Sequence, residues 1–444
     1  MKKLITAASL SLACVLPLGV ALVAPQAAAE DEEKELKYDN VETRQRQSVG
    51  AKCAKALEGV QETLEAEQWA ESVKQLKSVQ NGKSCSANGY EESQVWNFLG
   101  YAYYSLDQFQ NAINAYKQVV NNPESAPEMA IATRYTVAQL YYVVEDYRSG
   151  VKELEAWMKV APIVGTDAKV LLAQGYYQID DKTKALKWVN EAITEWEAKG
   201  NLPKEGWWSL QRVLHYEKGD YKTTAAILEK LVKHYPSNSY WRQLGGIYGE
   251  LERDMDRLVA TEVVYLNKGI EQERQLMALA YMYLSAEVPF RAASIIDKGI
   301  KDKVIEASAK NLEVLGTAWY QARELDKAME SLEAAGRKSD SGEINSRLAG
   351  IYLDQGLDAK AIQAARKAIN RGGVRRIDLA HMTLGNAYIN RHCYNDAIKA
   401  FKDASKDERS ARFARQWIKY AEAEGSRRQK LREAGAEIAG CAKV

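Results

Sequence analysis

Large side chains recur at helical spacing along this chain, and a small residue sits in the middle of each set. In "YWRQLGGIYGEL" (240–251), Trp241, Leu244, Gly245 and Tyr248 stand at i, i+3, i+4 and i+7, one face of a helix. A mid-helix glycine costs roughly 1 kcal/mol against alanine, so the pattern implies that a second helix passes close to Gly245. The step recurs with a fixed sequel. Trp96, Leu99, Gly100 and Tyr103 precede Phe109 and Ala112, Leu312, Leu315, Gly316 and Trp319 precede Leu325 and Ala328, and Leu384, Gly385 and Tyr388 precede Tyr394 and Ala397. Weaker copies place Val137-Ala138 before Tyr141, Leu172-Ala173 before Tyr176, Leu279-Ala280 before Tyr283, and Leu348-Ala349 before Tyr352, while Trp208 pairs with Tyr221. Starts are about 33 to 39 residues apart, a helix-turn-helix period.

Each unit has a simple physical reading. The first helix offers its Gly or Ala where the second helix crosses, and the later Ala lets the second helix approach in return. Pro123, Pro162 and Pro236 close their units by stopping the second helix. No such unit buries its apolar face alone, so neighbours must stack into one continuous core. About nine copies in register make a chance pattern in a single helical bundle a poor alternative.

The unit with Trp-x2-Leu-Gly-x2-Tyr, a later Ala and a closing Pro resembles the tetratricopeptide repeat, over about Val95 to Ala404. The resemblance implies an all-α fold, a right-handed superhelical solenoid of tetratricopeptide-like helix pairs. A narrower resemblance rests on "AEVPFRAASIIDKGI" (286–300), "EGWWSLQRVLHYEKGDY" (205–221), "YWRQLGGIYGEL" and "RQWIKYAEAEGSRRQ" (415–429). These stretches are similar to the secreted repeat proteins associated with TonB-type energy-transduction systems of Gram-negative bacteria. That family implies a partner among TonB, ExbB and ExbD, and a role in uptake of iron chelates or other nutrients across the outer membrane. An envelope assembly adaptor of the same fold with a different partner is the alternative. Asp254 and Arg257 depart from the repeat pattern after Tyr248, and Pro289 precedes Phe290 at a turn.

The ends differ from the middle. Lys2 and Lys3, an apolar run from Leu4 to Ala24 and Ala27-Ala28-Ala29 read as a secretory signal over 1–29. Lipidation at Cys14 is the weaker reading, because Ser11 stands where such signals want a Leu-like residue. Residues 30–92 read as an acidic segment with a degenerate first repeat or cap, 93–405 as the repeat array, and 406–444 as a capping helix and tail. In the last, Phe413, Trp417, Ile418 and Ala421 are expected to cover the final repeat, and the other face is basic. Export places the chain in the periplasm, with no stable membrane insertion after cleavage.

Composition adds three constraints. Hydrophobic residues make up 46%, charged ones 27%, and there are only 8 Pro, which suits a well-folded chain. Removing Lys2 and Lys3 leaves 59 basic against 60 acidic residues, so no global field favours nucleic acid. Chemistry is hard to find. His215, His234, His381 and His392 form no metal-ligand spacing, "RGGVRR" (371–376) reads as a helix stop, and no stretch of 100 residues lies outside the repeats to hold a catalytic domain. The expectation is a non-enzymatic interaction scaffold with no catalytic residue, metal or cofactor.

In a right-handed stack, first helices line the inner face, beside their core positions. Those positions hold Asn97, Tyr101 and Tyr104, then Tyr135, Gln139 and Tyr142, then Gln174 and Tyr177, then Tyr216. Amide side chains suit an extended peptide backbone, and tyrosine rings stack at low entropy cost. The Lys of the familiar carboxylate-clamp pattern is not evident, and any one of these tyrosines serves a core as well as a groove. Beyond the leader there are four cysteines, Cys53, Cys85, Cys393 and Cys441, which allow three pairings. The local pairing, Cys53 with Cys85 and Cys393 with Cys441, is expected, because terminal units lack a neighbour and gain most from a covalent tie.

Overall fold

A computed structural model describes residues 48–442, so the signal expected at 1–29 lies outside the described residues. Among them the chain forms 21 helices and no strand. It divides into two compact units at Thr133 and Arg134. The first contains α1 (Ala51–Glu65), α2 (Trp69–Asn81), α3 (Gly89–Ser105), α4 (Phe109–Asn121) and the start of α5 (Pro127–Val143). The second continues α5 and adds α6 (Tyr147–Met158), α7 (Thr166–Gln178), α8 (Lys182–Ala198), α9 (Glu205–Glu217), α10 (Tyr221–His234), α11 (Asn238–Glu250) and α12 (Asp254–Leu266). It then runs through α13 (Glu273–Ser285), α14 (Pro289–Lys301), α15 (Ala309–Gln321), α16 (Leu325–Lys338), α17 (Glu343–Asp354), α18 (Asp358–Arg371), α19 (Ile377–Asn390), α20 (Tyr394–Ala404) and α21 (Glu408–Glu433).

The turns explain why the chain breaks where it does. Glu67, Asp107, Glu145, Asp180, Gly219, Glu252, Glu287, Arg323, Gly356 and His392 all take φ between 55° and 77°, one in the turn of each helix pair. A left-handed residue ends a helix because it lets a following N–H reach back to an orphan carbonyl. That carbonyl belongs to the repeat's aromatic residue. Gln108 N–H donates to Tyr103 O (2.9 Å), Arg253 to Tyr248 (2.8 Å), Val288 to Tyr283 (2.8 Å), Glu324 to Trp319 (2.9 Å) and Cys393 to Tyr388 (2.8 Å). Aspartates then start several second helices, Asp146, Asp181 and Asp220 accepting from the N–H of Ser149, Lys184 and Thr223. Even α1 and α2, in the stretch expected to be degenerate, meet through this turn, with Gln68 N–H donating to Thr63 O (2.9 Å).

The repeat glycines fall into two kinds. A Cβ on Gly100 would stand 2.4 Å from the Tyr116 ring, one on Gly316 2.6 Å from Leu332, and one on Gly385 2.5 Å from Phe401. There the first helix lacks a side chain because a large residue of the second helix occupies its place, as the pattern implies. At Gly245 the second helix also passes close, as expected, but less tightly. Its Cβ would meet the methyl of Ala260 at 3.5 Å, Thr261 Oγ1 at 3.6 Å and Arg257 O at 3.9 Å, all ordinary contacts with α12. The position on α12 matching Tyr116, Leu332 and Phe401 holds the smaller Thr261, so nothing presses on Gly245.

Each unit has covalent or ionic ties at its end of the chain. Cys53 of α1 is bridged to Cys85, after α2, with Cα atoms 4.6 Å apart. Cys393 is bridged to Cys441, with Cα atoms 4.5 Å apart, so the turn before α20 holds the tail that follows α21. Asp378 on α19, 1% exposed, accepts from Arg376 (2.9 and 2.6 Å) and from Ser410 Oγ of α21 (2.6 Å). α21 meets this repeat through Ser410, Ala411, Ala414 and Ala421, with Ile418 beside them. Phe413 does not join them. It is 59% exposed, because small residues let α21 lie close and Phe413 falls on the outward side.

Candidate partner-binding face

In the first unit, Asn97, Tyr101 and Tyr104 lie on one face of α3, all partly exposed. The Tyr101 ring meets Trp69 edge-on at 5.5 Å, and Tyr104 lies 6.0 Å from Phe109. Each ring is therefore anchored by an aromatic neighbour while one edge stays at the surface.

In the second unit the predicted residues separate. Tyr135 rests on Trp157 at 4.6 Å, and Gln139 is exposed. Tyr142 goes into packing instead of the surface. Its ring fills the space above Gly150 and reaches Gly175, where a Cβ would stand 2.7 Å from the ring and 2.0 Å from its hydroxyl, respectively. Burial accordingly pushes the Tyr142 phenol well above its usual range. Gln174 is half-buried on α7, and the Tyr177 hydroxyl donates to Glu217 Oε1 at 3.0 Å. Tyr216 is 50% exposed, its ring 5.9 Å from Tyr221.

Around Tyr216 the helices leave a cavity of about 360 Å³, lined by Arg212 and Tyr216 of α9, Thr224 and Leu228 of α10, and Gln243, Gly246, Ile247 and Glu250 of α11. Its polar rim comes from first helices. Two tyrosines flank Arg212, namely Tyr177 and Tyr240, whose nearness partly offsets the effect of burial in lowering the Arg212 pKa. The Tyr240 hydroxyl bonds to Glu205 (2.6 Å) and Ser209 (3.1 Å). Burial first, and the neighbouring carboxylates second, push the Tyr177 and Tyr240 phenols up, so both remain neutral hydrogen-bonding groups.

Sequence reasoning missed Arg212, Tyr240, Gln243 and Glu250, because it collected only Tyr, Asn and Gln beside the motif positions. A signal was present. Arg212 has Trp208, Ser209, His215 and Tyr216 at i±4 and i±3, so no acid stands at a pairing position on its own helix. Arg427, on a solvated helix face, has such a partner in Glu424. Among the described residues, no group of three or more His, Cys, Asp or Glu is arranged to hold a metal ion, and no helix is long and apolar enough to cross a membrane.

The paired helices, the aromatic-closed turns and the Gly/Ala crossings define an all-α array of tetratricopeptide-like units. Residues 62–202 match the model of the RNPP family C-terminal domain. Among solved structures, the chain is similar to a crystal structure of MamA protein, with 22% identity over 40% of this chain and 94% of that one, and a TM-score of 0.33. It is also similar to the structure of Naa15/Naa10 bound to HypK-THB, with 15% identity over 82% and 65% of the two chains and a TM-score of 0.40. A tetratricopeptide repeat protein from Parabacteroides merdae matches with 12% identity over 58% of this chain and 98% of that one, at a TM-score of 0.27. No curated protein matches the chain.

Proposed function

We propose that this chain is a periplasmic, non-enzymatic scaffold that binds a component of a TonB, ExbB and ExbD-type complex and so supports TonB-dependent nutrient uptake. One observation carries the binding part. On the first-helix face of α9 and α11, Arg212, Tyr216, Gln243 and Glu250 surround an open cavity instead of entering the core, and such side chains suit recognition of a peptide. The compartment rests on the leader-like first 29 residues and on two disulfides, which persist in oxidising surroundings. The choice of partner rests on the resemblance of the stretches at 205–221, 240–251, 286–300 and 415–429.

Crosslinking in intact envelopes, followed by capture of the tagged chain, tests this reading. A TonB, ExbB or ExbD component should be recovered, and Gln139→Ala with Tyr216→Ala should reduce recovery while melting stays within about 2 °C, since surface changes alter stability little. Recovery of outer-membrane assembly factors alone would favour the adaptor reading. A chain found in the cytoplasm would end both.

A further inference from the structure

Arg212 is the one feature of the cavity that folding does not account for. Its Nε is fully buried and has no hydrogen-bond partner. The carboxylates nearby are already engaged: Glu217 takes the Tyr177 hydroxyl at 3.0 Å and the Lys182 ammonium at 3.0 Å, and Glu205 takes the Tyr240 hydroxyl at 2.6 Å. Burial lowers the Arg212 pKa, yet an arginine stays charged in any protein environment. A half-buried cation whose Nε is sealed from solvent without a counter-ion or hydrogen-bond partner opposes folding, so an apolar residue of similar length would serve the stack better. Its place at a cavity rim has the character of a recognition group held ready.

We propose that Arg212 is the anchor for a carboxylate on an extended peptide segment of the partner, an internal Asp or Glu followed closely by a basic residue. The guanidinium offers a planar fork matched to a carboxylate. The second half of the occupant follows from Glu250, which lines the same cavity, is exposed, and has no ion-pair partner among the described residues. A lining with one free cation and one free carboxylate is complementary to an adjacent acid and base, and disfavours a doubly anionic group such as phosphate. Gly246 lines the same cavity and leaves it open, with nothing within 4 Å of where its Cβ would be. Tyr216, half exposed at the rim, supplies a ring against which the peptide backbone stacks.

The inference rests on the peptide-binding reading above, but its test is independent of the partner's identity. The full chain is titrated calorimetrically at low salt with a short peptide, acetylated and amidated at its ends, carrying one Asp two residues before a Lys, and with its Asp-to-Asn counterpart. The acidic peptide should bind at least tenfold more tightly, and Arg212→Met should erase the difference while its melting temperature holds or rises. Arg212→Lys, which keeps the charge and loses the fork, should retain part of the preference. Equal binding of the two peptides to the native chain would overturn the proposal, as would a preference that survives in Arg212→Met. So would Arg212→Met and Arg212→Lys both melting several degrees lower, which would make the residue structural. Competition by inorganic phosphate, or binding only when the peptide has a free C-terminal carboxylate, would equally overturn the internal-acid occupant. If envelope capture of a TonB-system component fails while peptide discrimination persists, only the partner assignment falls. If capture persists in Arg212→Met, only the anchor falls.

Discussion

Two stretches of the second unit use the same ingredients to opposite ends. Between α5 and α7, Gly150 and Gly175 form a slot, and Tyr142 fills it so closely that neither glycine has room for a Cβ. Between α9 and α11, Gly245 and Gly246 have no such occupant, and the space beside Gly246 is the cavity rimmed by Arg212 and Tyr216. Where a ring is available to fill the gap the glycines serve packing, and where it is not they leave room for something from outside. The two tyrosines were equivalent as residues beside a motif. What separates them is the presence or absence of a slot.

The sharpest way to break this comparison is to empty the slot. Tyr142→Ala should cost about 3 kcal/mol, by analogy with other aromatic truncations in cores, read from chemical denaturation. Tyr216→Ala should lie within about 0.5 kcal/mol of the native chain, as exposed substitutions do. Equal effects at the two sites would mean that both are core or both are surface. Overfilling the slot is the milder test. Gly175→Ala should cost about 1–3 kcal/mol, because its Cβ would also stand 2.6 Å from Val151 Cγ2, and both neighbours must move.

How much of this was readable in advance depends on the distance over which the physics acts. The helix pairs were legible because their signal is local: Trp96, Leu99, Gly100 and Tyr103 fall on one face whatever surrounds them. The turns were only half legible. Glu252, Glu287 and Arg323 adopt left-handed backbone without the glycine that would announce it, so the period was visible and the device was not. Tyr142 was misplaced because its slot is made by glycines 8 and 33 residues further along the chain, which become adjacent only on folding. The looseness of the contact at Gly245 was hidden for a similar reason, since it depends on Thr261. Arg212 escaped because its distinction is a missing partner.

A third prediction concerns how the open region keeps its shape. Tyr248 of α11 donates its hydroxyl to Glu229 Oε1 of α10 at 2.9 Å, and burial together with that carboxylate pushes its pKa up to about 12. A phenol whose folded pKa exceeds its unfolded value of 10.0 contributes stability that is complete below pH 10 and lost as the pH rises through about 12. Melting followed across that window should fall more steeply in the native chain than in Tyr248→Phe. Parallel curves would mean that this bond does not hold α11 in place. The smallest effect is expected at the unfilled glycine. Gly245→Ala should gain about 0.5–1 kcal/mol from helix propensity alone, the reverse in sign of Gly175→Ala.

The cavity itself can be filled without disturbing the stack. Gly246→Leu adds a helix-forming side chain where nothing lies within 4 Å of the new Cβ, and directs it into the space beside Arg212 and Tyr216. Melting temperature and crosslinked partner recovery should be measured on the same preparation of this variant. The expected result is melting unchanged or slightly higher, with recovery of the envelope partner reduced at least tenfold. Full recovery from a folded Gly246→Leu chain would contradict the claim that this opening is where the partner binds.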